Sequence, residues 1–406
     1  MRHPRTPYER ESTMAGSYIV AGARTPIGKM SGALASFSAA DLGSIAIKAA
    51  LERAGVSPNE VDHVIMGQVL MAGQGQVPSR QAAAKAGIPM SVPAINVNKV
   101  CLSGLNSIYL ADQMIQAGDA DIVIAGGMES MTNAPYIASG ARGGFRYGNT
   151  ELKDAIIADG LWCSFDSCLM GLGTERYTAG NISRQQQDDL AMKSNQRAAA
   201  AIAAGRLADE IVSISIPQRK GDPLVIANDE GVRAETTMES LGGLKPAFDK
   251  DGTITAANAS QLSDGGSAVV MMSERFVKDR GIKALGQVVS YGMVAGPDNA
   301  SLLTQPSRAI LKALNKVGMK VSDINLFELN EAFATVGIAS MADLGISDDI
   351  VNVNGGAIAL GHPIGMSGNR VALTILHELR RRGGGVGAAA LCGGGGQGDA
   401  IIVRTV

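Results

Sequence analysis

The amino-acid sequence predicts an α/β protein built from two similar halves, with a further segment inserted into the first half. Short runs rich in β-branched residues alternate with longer Ala-rich stretches of helical periodicity, which is the pattern of an α/β fold. A unit of helix and strand also recurs later in the chain. The strand candidates include residues 17–20, 61–66, 121–125, 268–272, 324–329 and 387–391.

The recurrence is visible in two matches. Residues 46–55, AIKAALERAG, align without gaps on residues 309–318, AILKALNKVG, and residues 95–98, INVN, resemble residues 351–354, VNVN, at nearly the same offset. Chance similarity between two amphipathic helices would explain the first match alone. Two matches in the same order favour a duplicated α/β unit.

The segment between the halves has a different character. It combines a Gly-rich stretch, a long polar helix and a charged stretch, and substrate contacts often lie in such surface insertions. The predicted division is a disordered tail (1–14), a first half (15–130 plus 263–283), an inserted loop domain (131–262) and a second half (284–406).

Composition limits the classes of partner. The 406 residues carry 36 Lys and Arg against 38 Asp and Glu, so the formal net charge of −2 leaves no basic excess for a nucleic-acid backbone. No apolar run reaches the roughly 18 residues of a membrane span, and the N-terminal residues lack the apolar core of a secretory signal. Four cysteines are too few for a disulfide scaffold. We therefore expect a cytoplasmic protein that binds neither nucleic acid nor membrane.

Cys101 is the first candidate catalytic residue. It lies in NKVCLSGL, where a predicted strand ends and an amphipathic helix begins, so the helix dipole and the charge of Lys99 would favour its thiolate. A buried cysteine that packs as a small apolar side chain is the structural alternative.

His362 and Cys392 are the other two candidate catalytic residues. His362 lies in a Gly-His-Pro turn before another helix, whereas His3, His63 and His377 lie in a tail, a strand edge and a polar helix. A lone histidine in a Gly-rich loop is often only a turn residue. Cys392 precedes four consecutive glycines, which would let backbone N–H groups approach a ligand beside a thiol. A structural cysteine at a strand end would not explain that glycine run.

Three further residues are weaker candidates. Asn330, in FELNEAFA, lies at a predicted strand-to-helix junction, where a helix cap is the simpler interpretation. Cys163 and Cys168 have no cluster of His or Cys near them in sequence, so we predict no metal site and a structural role for both.

Taken together, these motifs resemble the thiolase family. The resemblance runs from about residue 17 to the C-terminus and rests on VAGARTPIGK, NKVCLSGL, GGMESMTNAPY, NEAFA, NVNGGAIALGHPIGMSGNR and LCGGGGQGDA, in that order. It implies a five-layer α-β-α-β-α arrangement of two duplicated halves with an inserted loop domain. It also implies a reversible Claisen condensation in which two acetyl-CoA give acetoacetyl-CoA and CoA, without a metal or redox cofactor.

The resemblance also implies a role for each candidate. Cys101 accepts the acyl group, His362 is its base, and Cys392 exchanges a proton with the α-carbon of the second acetyl group. Two oxyanion holes follow from the same resemblance. His362 with a water held by Asn330 serves the enolate oxygen, and the backbone N–H groups of Cys101 and Gly394 serve the acyl carbonyl.

The resemblance places six more residues at the bound substrate: Arg233, Ser240, Ser260, Leu169, Met170 and Phe333. Leu169 stands where biosynthetic members usually carry a His, and Leu102 adds bulk after Cys101, so the acyl chain length stays open. A broader-range 3-ketoacyl-CoA thiolase of β-oxidation is therefore the alternative within the family. A homodimer or a tetramer, with outer contacts through the loop domains, is also implied.

Two rival interpretations lie outside the family's usual activity. Ketoacyl synthases and hydroxymethylglutaryl-CoA synthases share an acyl cysteine and a histidine, but they lack the second cysteine in a glycine run and the NEAF and GHP motifs. A non-catalytic acyl-CoA-binding protein on the same scaffold is expected to have lost Cys101, His362 or Cys392. All three are present.

Overall fold

A long mixed sheet runs through the centre of the protein. The computed structural model describes residues 16–406, so the predicted tail 1–14 lies outside the described residues. The strands are β1 Ser17–Arg24, β2 Gly28–Lys29, β3 His63–Gly67, β4 Ala94–Val97, β5 Ile122–Ser130, β6 Tyr136–Ile137, β7 Lys153–Asp154, β8 Trp162–Cys163, β9 Cys168–Leu169, β10 Ile214–Ile216, β11 Leu224–Ile226, β12 Ser263–Ser273, β13 Gly286–Ala295, β14 Leu326–Leu329, β15 Val386–Gly393 and β16 Gln397–Thr405.

Helices cover and separate the two ends of this sheet. The α-helices are α1 Ala39–Ala54, α2 Pro78–Lys85, α3 Ser103–Ala117, α4 Met170–Thr178, α5 Arg184–Ala203, α6 Met238–Gly242, α7 Glu274–Arg280, α8 Gln305–Lys316, α9 Ala334–Leu344, α10 Ala357–Leu360 and α11 Ser367–Arg381. Short 3₁₀ turns lie at Pro58–Glu60, Ala141–Gly143, Val321–Asp323 and Asp348–Ile350, and a π-helical turn lies at Ile156–Leu161.

The order of the strands shows two corresponding halves. The sheet runs β14-β15-β16-β13-β1-β12-β5-β3-β4, and β2 pairs with β12. The halves meet where β1 and β13 exchange only two residue pairs, Tyr18 with Gln287 and Ile19 with Gly286. Val351 forms a parallel bridge to β14, as β4 pairs in parallel with β3. The segments matched in sequence therefore occupy corresponding positions.

The helices form three of five layers, and the expected α-β-α-β-α arrangement is confirmed. Helices α1 and α2 pack on the first half of the sheet, and α8 packs on the second half. Helices α3 and α11 pack against each other between the halves. Their apolar side chains share one buried core with strands of both halves, which includes Ile108, Val371, Val123 and Ala389. Burial of this shared core holds the two halves together.

Glycines let the two central helices approach each other at their N-terminal ends. A Cβ atom on Gly104 would lie 2.8 Å from the backbone nitrogen of Asn369, and one on Gly368 would lie 2.3 Å from that of Leu105. Any larger residue would push the helices apart. Cys101 lies just before α3 and His362 just before α11, so this crossing determines how close the two candidates come.

Residues 131–262 connect β5 to β12 and carry β6–β11 and α4–α6. The domain boundaries proposed from the sequence stay a prediction.

Strands β13 and β16 were absent from the strand candidates, because glycines and polar residues interrupt both apolar runs. Within residues 16–406, no helix has both the length and the apolar character needed to span a membrane.

Candidate active site

Cys101 lies in a strained turn between β4 and α3. Its side chain is buried, and the preceding Val100 has φ 50°, a left-handed conformation that is a clear outlier for a β-branched residue. Ser103 stabilises the turn, because its Oγ accepts a hydrogen bond from the Lys99 N–H at 2.8 Å and donates one to the Val100 carbonyl at 2.6 Å. The turn therefore holds the sulfur at the start of the helix.

The Cys101 thiol is neutral in the free protein. Burial raises its pKa to about 12, although the backbone N–H groups of Cys101 and Gly394 favour the thiolate. Lys99 supplies no activating charge, since its Nζ binds the Asp399 carboxylate at 2.7 Å. The backbone N–H groups at the helix start favour the thiolate as expected and Lys99 does not, but desolvation outweighs the N–H groups and keeps the thiol protonated. Cys101 needs a base.

His362 has the properties of such a base. It is buried in the turn before α11, where its N–H donates to the Gln261 carbonyl at 3.1 Å and its Nδ1 lies 2.6 Å from Ser367 Oγ. Burial, with the charge of Arg370, lowers its pKa to about 3. The imidazole is therefore uncharged at neutral pH and has a nitrogen lone pair available for a proton.

Asn330 faces the same imidazole. It follows β14, its N–H donates to the Ala390 carbonyl at 2.9 Å, and its Nδ2 lies 3.4 Å from His362 Nε2. Asn330 does not cap a helix, since the following helix begins at Ala334. Its buried Oδ1 has no hydrogen-bond partner in the described part of the chain. A buried amide oxygen of this kind fits the predicted role of holding a water.

Cys392 is the second buried thiol of the cluster. It lies near the end of β15, and burial together with the nearby Cys101 raises its pKa above the ordinary range. The glycines after it accommodate the Cys101 turn. A Cβ on Gly393 would lie 2.5 Å from Leu102 Cγ, and one on Gly394 would lie 3.2 Å from Val100 Cγ2. Leu102 is fully buried against this strand and in the central core, so it is a packing residue.

Glu129 is a buried site residue that the sequence did not single out. Its carboxylate accepts hydrogen bonds from the N–H groups of Val69 at 3.0 Å, Leu70 at 3.1 Å and Gly365 at 3.0 Å. Burial raises its pKa to about 7. Glu129 thus connects the loop after β3 to the turn that carries His362. The only sequence signal is an acidic residue inside a strand that is otherwise apolar.

The residues predicted to bind substrate divide into two groups. Met170 packs in one apolar cluster with Cys392 and the half-buried Phe333. The N–H of Ser260 donates to the Ala332 carbonyl at 3.0 Å, and half-buried Leu169 directly precedes α4. Met170, Phe333, Ser260 and Leu169 therefore lie in, or next to, segments that pack near Cys392 and Asn330.

The other two lie on the surface. Ser240 is exposed, and its Oγ donates to the Thr237 carbonyl at 2.8 Å within a helix-capping pair. Arg233 is exposed as well. The prediction that Arg233 and Ser240 contact CoA stays a prediction.

Between residues 16 and 406, no three His, Cys, Asp or Glu side chains group closely enough to hold a metal ion.

The fold, the two buried thiols and a neutral histidine paired with Asn330 define a class of acyl-transferring enzyme. The family model described as the N-terminal domain of thiolase matches residues 17–275, and that of the C-terminal domain of thiolase matches residues 282–405. The chain therefore belongs to the thiolase family.

Individual relatives cover nearly all of the chain. A probable acetyl-CoA acetyltransferase of Mycolicibacterium smegmatis is 54% identical over 387 residues, which are 95% of this chain and 100% of the relative. The acetyl-CoA acetyltransferase of Cupriavidus necator is 50% identical over 96% of this chain and 100% of its own. A crystal structure of human mitochondrial 3-ketoacyl-CoA thiolase superposes with a TM-score of 0.93 at 39% identity, covering 97% of this chain and 100% of that one.

Proposed function

We propose that the protein is an acetyl-CoA acetyltransferase, which interconverts two acetyl-CoA with acetoacetyl-CoA and CoA through an acetyl group on Cys101. The observation that carries this proposal is the placement of two buried neutral thiols, Cys101 and Cys392, close enough for one to raise the pKa of the other. Relatives at 50–54% identity with this activity in their names support it.

The thiolysis direction begins at Cys101. His362 takes the Cys101 proton, and the sulfur attacks the 3-keto carbon of acetoacetyl-CoA. The N–H groups of Cys101 and Gly394 stabilise the oxyanion that forms. The bond between C2 and C3 then breaks, which leaves an acetyl group on Cys101 and the carbanion of acetyl-CoA.

Cys392 completes this half of the reaction. Its neutral thiol donates a proton to the carbanion, and His362 returns the proton it holds to the Cys392 thiolate. The raised pKa of Cys392 suits this role, since the group enters the step with its proton bound. Free CoA then loses its thiol proton to His362 and attacks acetyl-Cys101, and the released Cys101 thiolate takes that proton. Condensation is the reverse sequence.

The packing around Cys392 favours a short acyl group. Cys392 and the large side chains of Met170, Leu302 and Phe333 form one apolar cluster. A separate cavity of about 430 Å³ lies beside Val100, Met170 and Gly394 and is open to the acyl site from the other side. An acyl chain that entered the cluster beside Cys392 would have to displace these side chains, whereas an acetyl group needs little additional space there.

The remaining expectations stay part of this proposal. We propose that no metal or redox cofactor takes part, that acetyl-CoA, acetoacetyl-CoA and free CoA are the substrates, and that the protein works in the cytoplasm in fatty acid metabolism as a dimer or a tetramer. Light scattering coupled to size-exclusion chromatography would distinguish those two assemblies.

The test is thiolysis of acetoacetyl-CoA, with six-carbon and long-chain 3-ketoacyl-CoA as comparisons. Intact-mass measurement should find an acetyl group on the wild type and none on Cys101→Ala. Cys168→Ala serves as the control, because Cys168 is also buried but lies outside the proposed acyl-transfer steps. A preference for the longer substrates would favour a 3-ketoacyl-CoA thiolase of broader range. No adduct with any substrate would contradict the enzyme and favour an acyl-CoA-binding protein.

A further inference from the structure

We propose that Lys99 and Asp399 are a positioning pair that holds the two N–H donors of the acyl oxyanion hole in register; this inference rests on the function proposed above. Lys99 Nζ lies 2.7 Å and 3.0 Å from the two carboxylate oxygens of Asp399. Lys99 precedes Cys101 by two residues, and Asp399 lies in β16 beyond the glycine run.

The two donors need such a link because they belong to different halves of the fold. The Cys101 N–H follows β4 in the first half, and the Gly394 N–H follows β15 in the second half. An oxyanion hole is effective only when both donors lie at hydrogen-bond distance from the developing charge. A direct bond between the segments that carry them would maintain this spacing.

Asp399 is well placed to be the fixed end of that bond. Its side chain is 0% exposed. It accepts further hydrogen bonds from Asn106 Nδ2 at 3.2 Å and Tyr291 Oη at 2.8 Å. Its register partner across the sheet is Leu391, which directly precedes Cys392. The carboxylate is therefore anchored to the strand pair that carries the second thiol and the glycines.

Lys99 is connected to the donor groups through a strained turn. Val100 lies between Lys99 and Cys101 with φ 50°, and strained backbone of this kind persists only when its surroundings hold it in place. The Val100 side chain also packs on Gly394, where a Cβ atom would lie 3.2 Å from its Cγ2. Release of Lys99 would let this turn relax and move both donors.

Lys99 and Asp399 act by fixing the positions of the two N–H donors, and they do not change the charge of Cys101. The Asp399 carboxylate balances the charge of Lys99, and the Cys101 thiol beside them stays neutral because it is buried. The oxygen atoms of Asp399 have all their partners within the protein, as a satisfied buried ion pair requires. Neither side chain is required to touch the substrate.

The test compares Lys99→Met, Asp399→Asn, the double variant and the conservative Lys99→Arg. Asp399→Asn keeps the size and most hydrogen bonds of the native side chain, so it retains the fold if Lys99→Met does not. Lys193→Met is the control, since Lys193 also forms an ion pair with a residue distant in sequence, 3.0 Å to Asp348, but outside the acyl site. Single-turnover acetylation of Cys101, kcat, KM and the melting temperature are measured for each.

We expect each single variant to lower kcat and the acetylation rate by about 10- to 100-fold, with KM changed by less than about threefold. The double variant should be no slower than the slower single one, because both remove the same bond. Lys99→Arg should recover most of the rate, and the control should match the wild type.

Three results would overturn the inference: single variants within about twofold of the wild type, losses that multiply in the double variant, or a rate loss that Lys99→Arg fails to recover. A wild type that transfers no acetyl group would contradict the proposed function itself. An active wild type with unaffected variants would contradict only the positioning pair.

Discussion

Ser367 holds the imidazole of His362 in one tautomer. Ser367 Oγ lies 2.6 Å from His362 Nδ1 and donates its own proton to the Pro363 carbonyl at 3.0 Å. Because a hydroxyl has a single proton, Ser367 must accept the hydrogen bond from the Nδ1–H group. The lone pair is therefore on Nε2, the nitrogen that faces Asn330. This is the tautomer that the proposed base needs.

Removal of the Ser367 hydroxyl should therefore slow acyl transfer. We expect Ser367→Ala to lower kcat by about 10-fold or more, since the imidazole then populates the wrong tautomer and orientation, with KM nearly unchanged. Steady-state thiolysis kinetics would measure this. Ser307→Ala is the matched control, because Ser307 is also buried at the start of a helix and donates to a backbone carbonyl, Thr304 at 2.8 Å. Equal rates for Ser367→Ala and the wild type would contradict the tautomer argument.

The two thiols should be separable by mutation. Cys392→Ala should still accept an acetyl group from acetyl-CoA on Cys101, because that step needs only His362 and the backbone donors. Its thiolysis of acetoacetyl-CoA should fall by about 100-fold or more, since the proton donor to the carbanion is lost. Intact mass and rate assays on the same sample would check both. Loss of acetylation in a folded Cys392→Ala protein would show that the roles are assigned wrongly.

The close crossing of α3 and α11 should be intolerant of a methyl group. In Gly368→Ala the new Cβ would lie 2.3 Å from the Leu105 backbone nitrogen, so the helices must separate. We expect the free energy of unfolding to fall by about 1–3 kcal/mol and kcat to fall by about 100-fold. Gly337→Ala is the control on α9, where the nearest atom, Leu190 Cδ1, is at an ordinary 3.4 Å. Similar behaviour of the two variants would contradict this packing argument.

Burial of His362 should make stability depend on pH. Its pKa is about 3 in the folded chain against 6.5 for the free side chain, so below pH 6.5 the unfolded chain binds a proton that the folded chain does not. Stability is thus lost as the pH falls through 6.5 towards 3. From pH 8 to about pH 5 the wild type should lose about 2 kcal/mol more than His362→Asn, measured by urea unfolding at one protein concentration. An identical loss in both proteins would show that His362 is not buried in its neutral form.

Chain-length preference should respond to the apolar cluster beside Cys392. Leu302→Ala should raise kcat/KM for a six-carbon 3-ketoacyl-CoA relative to acetoacetyl-CoA by about 10-fold, because it opens space in the apolar cluster that contains Cys392. Leu314→Ala, at a similarly buried leucine on α8 that packs in a different apolar cluster, is the control for general loosening. If the ratio of kcat/KM for the two substrates did not change, the acyl chain would not lie beside Leu302.

Much of the fold followed from local patterns in the sequence. Alternating strands and helices, with the recurrence of residues 46–55 at 309–318, indicated two halves before any contact was known. Cys101 stood out at a predicted strand-to-helix junction, and His362 and Cys392 stood out because glycine and proline mark turns where backbone and side chains come close. Such signals depend only on residues that are neighbours in the sequence, so they are visible without knowledge of the tertiary structure.

The charge state of the site was decided only by tertiary structure. Burial keeps the Cys101 thiol neutral although its position at a helix start favours the thiolate, and it keeps His362 neutral as well. The partners Ser367 and Asp399 were not singled out, because nothing in their local sequence points to His362 or to Lys99. A pKa depends on desolvation and on groups that folding brings together, and the order of residues along the chain does not contain those distances.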